Sequence, residues 1–138
     1  MRDFRELIDL DQLTSGDTVA LARAAAEAIR GLNHATRHDA GLDQPSVAYD
    51  VIGALSLAAS RTGQALAQIT RYLDTALAAG RLGHDLGEDP AHAIDATAIF
   101  LGDAASSAAA LAGDLDAASQ QLAPVSGRPA GPARKDQS

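Results

Sequence analysis

SVAYDVIGALSLAASRTGQALAQITRYLDTALAAG, residues 46–80, decides the fold. Ala48, Ile52, Leu55, Ala59, Thr62, Leu66, Ile69, Leu73 and Ala76 recur at alternating steps of four and three. That spacing draws one apolar stripe along an α-helix for four heptads. Strand alternation fits worse, because Ala58-Ala59 and Ala65-Leu66 would put apolar neighbours on both faces. A helix of this length runs about 52 Å. It does not fold alone, because its stripe needs a partner.

The partner lies downstream. Ile94, Thr97, Leu101, Ala104, Ala108, Leu111, Leu115, Ala118 and Leu122 repeat the same steps and predict a helix over about 90–123. Two stripes of matching length joined by a short loop read as an antiparallel helical hairpin. Upstream, Leu21, Ala25, Ala28, Leu32 and Ala35 predict a helix over about 16–37, with Val19 and Ile29 widening its stripe. That helix is expected to pack along the hairpin, with Leu42 plugging the end of the bundle.

The boundaries carry their own chemistry. Thr14 with Asp17 three residues on resembles a capping box in which Asp replaces the usual Glu or Gln. Gly41 suits a left-handed turn, and Pro45-Ser46 suits a helix start. Asp89-Pro90 reads as an N-cap followed by proline at the first helical position. Gly53 and Gly63 inside the long helix are expected to mark close helix crossings; a contact groove for another chain is the alternative. Residues 3–12 predict a short helix with Phe4, Leu7 and Ile8 inward. Residues 124–138 carry three Pro and two Gly with little apolar content and are expected to be disordered. The expected architecture is therefore an all-α, antiparallel up-down-up helical bundle over residues 1–123. It has two long helices, a short N-terminal helical segment and a disordered tail over 124–138.

Composition restricts function. The chain holds 32 Ala, two Phe, two Tyr and no Trp. Ala seams bring helix axes close but bury little area, so modest monomer stability and self-association are expected. The net charge is −7, and residues 82–127 contain no Lys or Arg. Nucleic-acid binding needs a basic face, and none is present. No cysteine is present, which excludes disulfide and thiolate chemistry. The acids Asp3, Glu6, Asp9 and Asp11 do not fit a secretory signal, and Asp95 and Asp103 interrupt the most apolar stretch, so no membrane span and a cytoplasmic location are expected.

Catalytic patterns are missing. The three Glu residues, Glu6, Glu27 and Glu88, lack the Glu-x-x-His spacing of carboxylate-bridged metal bundles. There is no phosphate-binding glycine loop and no nucleophile elbow. His34 and His38, four apart, could share a helix face and suit a transition metal; solvated side chains at a helix end are the plainer reading. His84 and His92 flank the second loop at the other end of the expected bundle, so the four histidines do not converge within one chain. The polar-aromatic corner of Asn33, His34, Thr36 and Arg37, followed by Tyr49 and Asp50, is the candidate interaction surface. Asn33, Thr36 and Tyr49 are expected to meet at the top of the bundle.

The run Leu32-Asn33-His34-x-Thr36-Arg37, then Leu42, Pro45 and Tyr49-Asp50-Val51-Ile52-Gly53-x-Leu55, resembles a family of small Ala-rich helical proteins of high-GC actinobacteria. The resemblance spans roughly residues 15–122. It implies an actinobacterial host and a helical fold, and it carries over no catalytic residue, because that family has no assigned activity. The shape is also similar to the helical hairpins exported by type VII secretion. The Trp turn motif is absent, however, and the residues four after Tyr49 and Tyr72 are Gly53 and Ala76 rather than acids.

These observations predict a non-enzymatic helical protein–protein interaction or structural module without a cofactor, forming a homodimer or docking on a partner protein. The alternative is a metal- or small-molecule-responsive module that uses His34 and His38.

Overall fold

The computed structural model describes residues 10–129. They form three α-helices and no strand: α1 (Ser15–Ala35), α2 (Pro45–Ala78) and α3 (Pro90–Leu122). The fold is all-α, as the periodicity predicts. The chain divides into two compact units, Met1–Asp43 and Gln44–Ser138. Most of the expected N-terminal helical segment, and tail residues 130–138, lie outside the described residues. Residues 10–14 are turn and irregular chain, and residues 125–129 have no regular structure.

In the first unit, α1 begins at the expected capping box. The Asp17 amide donates to Thr14 Oγ1 at 3.3 Å, and the Thr14 amide donates back to Asp17 Oδ2 at 3.0 Å. The backbone hydrogen bond from Thr14, and then that from its hydroxyl, hold the exposed Asp17 carboxyl below its ordinary pKa. At the other end the Thr36 amide bonds Leu32 O, and the Thr36 hydroxyl reaches the same carbonyl at 2.9 Å. Gly41 departs from expectation. Its φ is not positive, and glycine is needed because a Cβ there would strike the Ala35 carbonyl. Leu21 and Leu32 are half-buried, Val19 and Ile29 are exposed, and no α1 residue is buried. Leu42 is half-buried.

The second unit is an antiparallel hairpin of α2 and α3. Ser56 lies against Ala112, and Gly63 lies against Ala105. Seven steps up one helix thus match seven steps down the other. Gly127, beyond α3, backs onto the Gln44 side chain and the Pro45 ring, so a Cβ there would push the end of the Gln44 side chain aside. α2 stops in a Schellman arrangement: the Arg81 amide bonds Ala76 O, the Gly80 amide bonds Leu77 O, and Gly80 takes φ +70°. Asp89 caps α3 by accepting from the Ala91 amide at 3.0 Å, with Pro90 at the first helical position. α2 starts with proline too, but its N-cap Gln44 makes no side-chain cap bond.

The seam between the helices sits to one side of the stripes that the sequence predicts. Many predicted positions lie in it: Ile52, Ala59, Leu66, Leu73 and Ala76 on α2, and Ile94, Leu101, Ala108, Leu115 and Leu122 on α3. Ala48 and Leu55 are half-buried at its edge. The others lie outside: Thr62 and Ile69 are exposed, as are Thr97, Ala104, Leu111 and Ala118. The neighbouring columns, Ser56, Gly63 and Thr70 facing Ala98, Ala105, Ala112 and Ser119, are buried or half-buried instead. Small residues let two backbones approach closely, so the pair closes on them and leaves larger ones outside. Gly63 fits its expected role, with room for a Cβ 3.8 Å from the Ala105 carbonyl; Gly53 does not, since nothing lies within 4 Å of it.

The hairpin buries little. Among the described residues only Ser56, Ala59, Ala76 and Ala112 are buried, and no large side chain is fully enclosed.

Candidate interaction surface

Of the polar corner, Asn33, His34, Thr36 and Arg37 lie at the end of α1, in the first unit. The His34 and His38 rings meet edge to face with centroids 5.8 Å apart, as a four-residue spacing on one face predicts. Thr36 is engaged locally, its hydroxyl bonded to Leu32 O. A shallow open concavity follows the polar side of α1 along Glu27, Arg30, Gly31, Asn33, His34 and Arg37. Glu27 and Arg30 are paired within it at 2.8 Å, both exposed. Such a pair adds little to stability. Tyr49 and Asp50 stand in the second unit, in the early turns of α2, and both are exposed.

Around the second loop, His84 accepts the Leu86 amide on Nδ1 at 3.1 Å, and its Nε2 lies 3.9 Å from Glu88. No group of three or more His, Asp or Glu side chains is placed to hold a metal ion among the described residues.

A larger surface was missed at the sequence level. Displacing the seam toward the small columns leaves a second stripe on α2, and helical spacing puts its members on one side. They are Ala48, Leu55, Thr62 and Ile69, flanked by Val51, Ala58, Ala65 and Tyr72, and none is charged. In an antiparallel pair the matching column of α3 faces the same way. That column holds Thr97, Ala104, Leu111 and Ala118, flanked by Phe100, Ser107 and Asp114. Four large side chains here are in solvent: Phe100 is 73% exposed, Tyr72 58%, Leu111 53% and Ile69 48%. The signal was legible: the uncharged stretch between Asp50 and Arg71 is broken only by Arg61, whose helical position points away from the seam.

The outer edges and the reverse side are more polar. They carry Asp50, Arg61, Arg71 and Asp74 from α2 with Asp95, Asp103 and Asp116 from α3. α3 also contains an 18-residue window of mean hydropathy 1.3, long and apolar enough by length and composition to cross a membrane.

No family model, curated protein or solved structure matches this chain.

Proposed function

We propose that the chain is a non-enzymatic helical interaction module of the cytoplasm, self-associating or docking on a partner protein. One observation carries this reading: a hairpin whose buried residues are three Ala and one Ser keeps Ile69, Tyr72, Phe100 and Leu111 in solvent on one side. Monomeric proteins rarely expose contiguous apolar patches beyond a few hundred Å². The charge of −7 and the stretch over 82–127 without Lys or Arg weigh against nucleic acid as the partner.

The test is affinity capture of the full chain from native lysate, with light scattering of the eluate and binding of a dye that reports exposed apolar surface. A stoichiometric second chain, identical or different, is expected. A lone monomer that binds no dye would remove the reading.

The contact between His34 and His38 favours a second reading, a metal-responsive module. Zinc or nickel titration against His34→Ala tests it. An unchanged melting temperature in the parent protein would eliminate this alternative.

A further inference from the structure

We propose that a second copy of this chain covers the apolar side of the hairpin, lying antiparallel across it about a two-fold axis beside Thr62. This rests on the interaction-module reading and names the partner.

Charge selects the face that two copies can share. At a net charge of −7, two copies repel across most surfaces they could share. A two-fold interface brings the same patch of both subunits together, so a patch of one sign opposes itself. The apolar side avoids this: Asp114, at its rim, is its one charged residue, and Arg61 and Asp103 stand beyond it at the outer edges.

Size agrees. The face extends about 36 Å along the helices from Ala48 to Tyr72 and about 18 Å across two axes, roughly 650 Å² per subunit. Doubled, that lies within the range of stable, specific interfaces, about 1,200–2,000 Å².

Shape fixes the direction. In the observed register the bulky Ile69, Tyr72 and Phe100 gather toward the loop end, whereas Ala48 and Ala118 occupy the far end. A copy with its loop at the same end would stack bulk on bulk. The reversed copy sets the Ile69 and Tyr72 end of one α2 over the Ala48 end of the other, with the two Asp114 side chains about 20 Å apart along the helices. The axis then passes the middle of the face, beside Thr62.

The full-length chain tests this. Light scattering is expected to give twice the 14.1 kDa chain mass. Because the chain has no cysteine, single introduced thiols report cleanly. Thr62→Cys is expected to join two chains through a short thiol cross-linker. Ser60→Cys, at nearly the same height but on the reverse side of α2, is expected to give little product. Phe100→Glu is expected to shift the mass to monomer, and circular dichroism will show whether its helices persist. Thr62→Cys does not depend on that variant folding. A monomer at all concentrations would overturn the proposal, as would a dimer cross-linked at Ser60→Cys and not at Thr62→Cys. Recovery of the protein as a monomer on neutral lipid vesicles would also overturn it. A monomer that still binds the apolar dye would sink the dimer alone; a monomer that binds none would sink the broader reading too.

Discussion

Ser56 on α2 donates a 2.6 Å hydrogen bond to Asp116 Oδ1 on α3, and the same hydroxyl lies 3.1 Å from the Ala112 carbonyl. Its significance is register. Ala98, Ala105 and Ala112 repeat at seven-residue spacing, so sliding α3 by one heptad would present nearly the same surface to α2. It would also put Ala109 or Ala123 where Asp116 stands. The polar pair distinguishes registers that packing alone leaves close in energy.

Ser56→Ala is therefore expected to destabilise the hairpin by about 1 kcal/mol, the net worth of one buried hydrogen bond. Asp116→Ala should cost less, since the Ser56 hydroxyl keeps the Ala112 carbonyl. Denaturant melts of the two single variants and the double variant measure the coupling, and a coupling of zero would refute the pinning role.

Ser119 gives the opposite sign. Its Oγ is buried in the seam with no hydrogen-bond partner. Ser119→Ala removes that orphaned hydroxyl and adds helix propensity, so it should stabilise by about 1 kcal/mol. The same melts decide it; a loss of stability would mean the hydroxyl is satisfied in solution.

Two glycines should also respond in opposite directions. A Cβ at Gly53 would meet nothing within 4 Å, so Gly53→Ala should stabilise α2 by up to about 1 kcal/mol. Gly80 holds φ +70° in the Schellman turn, and Gly80→Ala should cost about 1 kcal/mol. Thermal melts followed by far-ultraviolet circular dichroism would read both.

Acid should act on α1 through its cap. The folded-state pKa of Asp17 lies below its ordinary value of 3.8, so its contribution is complete above 3.8 and is lost as pH falls through the depressed value. Amide chemical shifts of residues 15–18 should report this fraying. Thr14→Ala removes the hydroxyl and keeps the Thr14 amide, the larger cause, so it should bring the Asp17 titration only part of the way back toward 3.8. An unchanged titration in that variant would remove the Thr14 hydroxyl as a cause and leave the amide.

The three main helices and their ends were legible, because Thr14-Asp17, Asp89-Pro90 and Gly80 are local signals that tertiary packing does not override. The side of each stripe turned inward was legible in part. Ranking by hydrophobicity favours the columns containing Ile69 and Leu111, whereas closure of two helices favours those containing Gly63, Ala105 and Ala112. The large residues were assigned to a core that the hairpin alone does not build. In the polar corner, the spacing of His34 and His38 foretold their contact. The engagement of Thr36 with Leu32 O was harder to see, because it depends on where the helix ends.

A core made of Ser56, Ala59, Ala76 and Ala112 also has a thermal consequence. The heat-capacity change of unfolding tracks the apolar area released to water, about 12–15 cal/mol/K per residue for ordinary globular domains. A hairpin that already leaves Phe100, Tyr49, Tyr72 and several Leu and Ile side chains wet has little left to release. Its stability curve should be shallow, with a broad melt and little cold destabilisation. Calorimetry would place most of the heat-capacity change in whatever event covers the apolar side.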